Sequence, residues 1–368
     1  MTRPSLLVTT AVLLACGMAA ASTVGTGPPG RSVPKLRFAQ GGPEELTFDA
    51  RGNLYGADCA DSFVFRIDNQ RSMTVVAGTG AQGFSGDAGP ALRAKLDCPS
   101  GVALDTKGNL YVADHGNDRV RRIDANGVIH AYAGAGPIPP VGSNEGSYRG
   151  DGGLAARARF KVPTSLAFDR AGNLYVADRD NGAVRLISKG GRITTLAGTG
   201  VRGYSGDGSA AAKARLDQPQ GFAFDRAGNL YVSDSANNRV RRIDARGVIT
   251  TVAGNGRQGY SGDSAAATRA RLSDPYGLAF DANGNLYVAE PDEGVVRRID
   301  ARGMITTVAG TGHLGLSGDG GQATRAKLDS PFGLAFDSAG NLYIADNGNG
   351  RIRRVDRRGV ITTFFNGR

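Results

Sequence analysis

A seven-residue phrase, Asp-x-x-Gly-Asn-Leu-Tyr, occurs six times, starting at Asp49, Asp105, Asp169, Asp225, Asp281 and Asp337. Successive copies stand 56, 64, 56, 56 and 56 residues apart. Self-similarity at a fixed period is the signature of a repeat architecture. The length of 368 residues, which would otherwise suggest two or three domains, therefore does not.

The unit opening at Pro99 shows what each repeat folds into. Gly101-Val102-Ala103-Leu104 is a short apolar run, and Asp105-Thr106-Lys107-Gly108 is a turn. Leu110 to Ala113, Arg119 to Ile123 and Val128 to Ala133 are three further runs, separated by links of hairpin length. Glycine, 56 residues in all, supplies the turns. Four antiparallel strands make a meander. Its strands are apolar on both faces, with Leu110 and Val112 on one and Tyr111 and Ala113 on the other. Such a sheet must be sandwiched between neighbours. Six sheets set radially achieve this and leave few edges, so the expected fold is all-β: a six-bladed β-propeller of four-stranded antiparallel blades. Burying each large aliphatic side chain is worth about 1.5–3 kcal/mol, so packing between blades should dominate stability.

The N-terminus reads as a targeting signal. Arg3 precedes an apolar stretch over 6–14 and the small residues Ala19-Ala20-Ala21, a signal-peptide pattern for 1–21. A second reading takes Leu13-Leu14-Ala15-Cys16 as a lipobox with Cys16 lipidated. A Gly/Pro/Ser linker over 22–34 follows, and the propeller spans 35–368. Residues 35–40 look like a stray fourth strand that would help close the ring. The chain is expected to be secreted or periplasmic and monomeric, without a transmembrane span. Cys59 and Cys98 are a disulfide candidate, since both map to one face in adjacent blades of an exported chain.

Pro219-Gln220-Gly221-Phe222-Ala223-Phe224-Asp225, then Gly228 to Asp234, then Asn238-Arg239-Val240-Arg241-Arg242-Ile243, resembles the NHL repeat. The inter-blade phrase Gly203-Tyr204-Ser205-Gly206-Asp207 resembles the subtype of teneurin propellers and of many bacterial exported proteins. The resemblance covers about 43–365. It implies binding of protein or nucleic acid more than catalysis, although some related six-bladed propellers are lyases or lactonases. Fold does not choose between these.

Meander topology puts alternate turns on opposite faces. The first and third turns barely change between repeats. The second turn and the inter-blade loop vary and share the other face. The residue after each blade-opening Pro also varies and should ring the channel mouth: Glu44, Ser100, Thr164, Gln220, Tyr276 and Phe332. Glu45 and Ser165 replace the Gly that follows in the other blades. The six ring residues together with Glu45 form the expected ligand site. An insertion within 137–147 falls on the same face.

Further motifs carry simpler readings. Asp87, Asp151, Asp207, Asp263 and Asp319 precede Ala-rich stretches and are expected to cap short inter-blade helices. Asp114 faces Arg119 across a hairpin, as Asp234 faces Arg239 and Asp346 faces Arg351, which predicts cross-strand ion pairs. Blades 1, 3 and 5 lack that Arg, which would leave Asp58, Asp178 and Glu290 unpaired. Phe84, Tyr148, Tyr204 and Tyr260 are expected to pack over the blade tops.

The leading functional expectation is a scaffold that binds protein or an envelope polymer and needs no cofactor. One alternative is a metal-dependent lactonase or lyase at the channel mouth. Lactonase-like propellers hold Ca2+ with an acid and amides around the axis, which Glu44 or Glu45 with Gln220 would imitate. His115, His130 and His313 occupy three different repeat positions and are not expected to meet on a metal. The other alternative is polyanion binding, from the net charge of +10 and the Arg-rich third strands.

Overall fold

A computed structural model of the chain describes Phe38, 41–136 and 149–367. The signal region, Cys16, the linker, most of 35–40, the insertion and Tyr148 lie outside the described residues. Those residues form six separate antiparallel sheets in chain order, each a meander of four main strands. Blade 1 runs Pro43–Phe48, Leu54–Asp58, Phe63–Ile67 and Met73–Ala77. Blade 6 runs Pro331–Phe336, Leu342–Asp346, Arg351–Val355 and Ile361–Asn366. In three blades a two-residue strand from the preceding inter-blade segment clasps the outer strand, as Gly89–Pro90 does to Val128–Ile129.

The repeated phrase is explained by its own turn. Asp105 Oδ1 accepts the backbone N–H groups of Lys107 and Asn109, and its Oδ2 accepts from the Asn109 amide and the Tyr111 hydroxyl. The Tyr ring then packs edge-on against the Phe that ends the next blade's inner strand, with centroids 4.9 Å apart for Tyr111 and Phe168. Tyr343 does the same to Phe48 at 5.0 Å, which joins blade 6 to blade 1.

The core is divided among the blade interfaces, not gathered at a centre. One cluster holds Val64, Ala77, Leu96, Val102, Val112 and Ile129, from blades 1 and 2. An equivalent cluster fills each of the other interfaces. The ring closes through side chains. Phe38 is buried against Phe65 and Phe365, and the Asn347 amide donates to the Gly42 carbonyl at 2.9 Å. Blade 6 has its own fourth strand in Ile361–Asn366, so 35–40 is not needed to complete it.

Two expectations need correction. The inter-blade segments hold no α-helix among the described residues, only three-residue 3₁₀ turns such as Ala91–Arg93, and that turn has no side-chain cap. Asp87, Asp151, Asp207, Asp263 and Asp319 instead bind the fully buried Arg121, Arg185, Arg241, Arg297 and Arg353 at 2.6–2.7 Å. One turn of helix has almost no dipole to oppose, whereas a buried guanidinium needs a counter-charge.

The expected Asp114–Arg119 pair fails for a related reason. The two are opposite in register, but Arg119 turns outward to the carbonyls of Gly134 and Ala135. Arg121, two residues along on the same face, reaches back diagonally to Asp114 at 3.2 Å. The arrangement recurs for Asp178, Asp234, Glu290 and Asp346, so blades 3 and 5 do not leave their acids unpaired. Blade 1 does. Phe65 stands where the others have Arg, and one oxygen of the buried Asp58 has no hydrogen-bond donor.

Candidate functional site

The inner strands lie close around the axis because the third residue, counted from the blade-opening Pro, is mostly Gly. A Cβ on Gly221 would run into the Tyr276 carbonyl oxygen of the next blade, and one on Gly277 into that of Phe332. Glu45 and Ser165 break this pattern, and their side chains meet. The Ser165 hydroxyl donates to Glu45 Oε1 at 2.5 Å, spanning from blade 3 to blade 1 past Gly101. Val102 N–H donates to Glu45 Oε2 at 3.2 Å. The pair forms one wall of a small axial pocket, also lined by Ser100, Thr164, Tyr276, Leu278 and Leu334.

The residues expected at the mouth therefore divide. Glu45, Ser100, Thr164 and Tyr276 line the pocket, joined by Ser165. Glu44, Gln220 and Phe332 do not line it. Glu44 instead accepts from the Tyr276 hydroxyl at 3.3 Å, and Phe332 stacks on the Tyr276 ring at 4.6 Å. Gln220 is buried. Apart from Cys98, the residues preceding the blade-opening Pro carried no expectation from the sequence. Cys98, Val162, Gln218, Asp274 and Ser330 all adopt positive φ, from 45° to 59°, a conformation costly for side chains other than Gly and most of all for Val162. Their shared position before Pro was the available signal.

These positions receive the ties between blades. Cys98 is joined by a disulfide to Cys59 in the second turn of blade 1. Val162 N–H donates to Asp118 Oδ1, and Arg179 Nη2 donates to Gln218 Oε1. His115 lies with Nδ1 3.9 Å from Cys98 Sγ, and burial, reinforced by Arg179, lowers its pKa to about 4. His130 pairs with Asp124 on an outer strand, and His313 is exposed in an inter-blade loop, so the three do not converge.

Burial dominates the electrostatics of the mouth. It raises Glu44 to about 7 against the opposing Tyr276 hydrogen bond and Arg179 charge. It raises Glu45 to about 8 despite donors from Ser165, Val102 and Leu166. Asp58, without an Arg and with Asp61 beside it, is raised to about 8. Asp114, Asp178 and Asp234, each beside a buried guanidinium, reach only about 6 and stay ionised at neutral pH.

A pH dependence follows. Glu44, Glu45 and Asp58 keep protons in the folded chain that the unfolded chain has released above the ordinary carboxylate range. The unfolded state then binds fewer protons, so stability falls as pH rises from about 4 to about 8. Calorimetry should show Tm dropping by on the order of 5 °C between pH 5 and 8.5. Glu45→Gln should flatten the upper part of that decline. A Tm that rises across this window would contradict these protonation states.

Comparison with known proteins agrees with the architecture. The family model described as the teneurin NHL domain matches residues 49–139, 200–260, 255–317 and 312–368. Teneurin-4 of Mus musculus is 30% identical over 344 residues, covering 85% of this chain but 12% of that protein. Among solved structures, an auxiliary nutrient binding protein from Bacteroides thetaiotaomicron aligns with a TM-score of 0.62 at 16% identity, over 88% of this chain and 69% of that one. Virginiamycin B lyase from Staphylococcus aureus aligns at 0.51 and 15% identity, over 89% and 86%. The structural likenesses carry the fold alone. With its six repeats, its radial sheets and these matches, the chain belongs to the teneurin NHL-domain family.

Proposed function

We propose that this chain is a binding propeller that holds a protein partner against the face formed by its second turns and inter-blade loops. The carrying observation is where apolar surface is left uncovered. Every large apolar side chain more than a third exposed among the described residues lies in an inter-blade segment, including Phe84, Val201, Tyr204, Leu314 and Leu316. Phe84 and Tyr204, expected to pack down over the blade tops, remain 43% and 42% exposed. They lie over Arg119 and Arg239 at 4.1 and 3.7 Å. Aromatic and Arg side chains together are characteristic of protein interfaces. The opposite face consists of Asp-x-x-Gly turns closed on their own hydrogen bonds.

This reading assigns no reaction and no cofactor. It includes export, because the Cys59–Cys98 disulfide suits an oxidising compartment. The central Arg of the third strand in blades 2 to 6 is fully buried, which argues against a polyanion stripe there. Photo-crosslinking residues placed at Tyr204, Leu316 and Ala236 should trap a discrete partner, while the same residue at Lys107 or Arg226 should not. Adducts confined to the Lys107 face, or turnover of lactones, esters or peptides by the purified chain, would overturn the reading.

A further inference from the structure

We infer that the axial pocket receives a primary ammonium group, a lysine side chain or a chain N-terminus offered by the bound partner, with Glu45 as its counter-ion. The inference rests on the loop face being the binding surface, because the pocket is lined by the first residues of the inner strands, where the inter-blade segments enter them. It stands on three features of the pocket wall.

The first is placement. Glu45 occupies a position that is Gly in four of the blades, and its carboxylate reaches past Gly101 of blade 2 to Ser165. The second is an unmet hydroxyl. Thr164 lines the same pocket, is only 4% exposed, and its Oγ1 has no hydrogen-bond partner. A buried polar atom without a partner is costly, and a donor entering the pocket would remove that penalty by drawing the Thr164 hydroxyl toward it. The third is missing charge. No Lys or Arg lines the pocket, in a chain whose net charge is +10; the guanidinium felt at its mouth, by Glu44 and Tyr276, is that of Arg179 in the second turn of blade 3.

An ammonium group brings three N–H donors and accepts nothing. A carboxylate and a threonine hydroxyl are acceptors for two of them. A hard divalent ion fits less well, since it takes six or more oxygens and usually several carboxylates. Only one carboxylate lines this wall.

The proton balance of binding is explicit. Empty, Glu45 is largely protonated at neutral pH because burial raises it to about 8. An arriving ammonium favours the carboxylate, so the Glu45 proton leaves to solvent; for a lysine side chain affinity rises with pH until Glu45 is ionised in the free protein, whereas for an N-terminal amine the rise and the proton release end near pH 8, where the amine itself deprotonates. Glu44 is the charged neighbour on its own strand, and Tyr276 is the titratable group facing it from blade 5. Blades 2 and 3 present Glu45 with a hydroxyl and backbone N–H groups from Ser165, Val102 and Leu166.

The test is calorimetric titration of the full chain between pH 6 and 8.5, in buffers of different ionisation enthalpy. One probe is a blocked tripeptide, acetyl-Gly-Lys-Gly-amide. A second is Gly-Gly-Gly-amide with a free N-terminus, which separates the two sources of the amine. Nε-acetylation of the first, and calcium chloride, are the controls. The expected result is saturable binding of at least one amine probe with proton release. Acetylation should abolish it. Glu45→Gln should weaken it at least tenfold and Thr164→Val several-fold. Equal binding of the acetylated peptide, no binding of either amine, or calcium as the tighter ligand would overturn the inference. The wild-type pH dependence decides the matter even if Glu45→Gln fails to fold. Because crosslinking reads the loop face without using the pocket, loss of amine binding with loop-face adducts intact removes this inference alone.

Discussion

Replacing Arg241 by methionine should destabilise the propeller by about 3–5 kcal/mol at pH 8 and by much less at pH 5. Arg241 is fully buried, 3.0 Å from the equally buried Asp234 and 2.7 Å from Asp207 on the inter-blade loop. It also donates to the Ser205 carbonyl. One guanidinium thus holds the second strand, the third strand and the loop together. Its removal strands a carboxylate where water cannot reach. The strain can be relieved only by protonating Asp234, which burial already raises to about 6 beside its Arg. Without the Arg, that pKa should climb toward the value of about 8 at Asp58, the one equivalent acid that has no Arg. The folded variant then holds a proton that the unfolded chain releases, so its deficit grows as pH rises. Urea denaturation at the two pH values checks this. Adding Asp234→Asn should recover much of the loss, since the buried charge is then gone. Equal deficits at both pH values would mean that Arg241 contributes packing and no charge compensation.

The second large effect is expected at the disulfide. Cys59→Ser with Cys98→Ser should lower stability by about 2–4 kcal/mol. The bond joins the second turn of blade 1 to the residue preceding the inner strand of blade 2. At the next two junctions the same tie is a single hydrogen bond, from Val162 N–H to Asp118 and from Arg179 to Gln218. Covalent linkage falls at the blade that lacks an Arg beside its buried acid. A reducing agent should lower the Tm of the wild-type chain to that of the double variant and leave the variant unchanged. A wild-type Tm indifferent to full reduction, verified by thiol titration, would show that packing of the first blade interface suffices.

Much of the architecture was legible because it is local and repeated. Leu54 and Tyr55, with their counterparts, announce a strand, and Asp49 with Gly52 announces the turn before it. Apolarity on both faces of that strand demands neighbours. The site was legible only in outline. Ser100, Thr164 and Tyr276 could be assigned to the mouth from their position after Pro, and Glu45 and Ser165 stood out as replacements for Gly. That Glu45 and Ser165 touch could not be read, because they lie 120 residues apart and meet only when the ring closes.

The Arg–acid clamp sits between these cases. Its signal was present, since the inter-blade Asp and the central Arg both appear in blades 2 to 6 and Arg is replaced by Phe65 in blade 1. Pairing by strand register pointed to Arg119, because register locates Cα atoms and not the ends of long side chains. Sequence alone determined the number of blades, the strand order within each and the face on which variation collects, for these follow from hydrophobic pattern and turn chemistry over a few residues. Tertiary structure decided which carboxyls carry protons, which guanidiniums are hidden and which residues share the axial pocket. Those properties depend on burial and on distances across the closed ring, and no stretch of chain shorter than the whole wheel contains them.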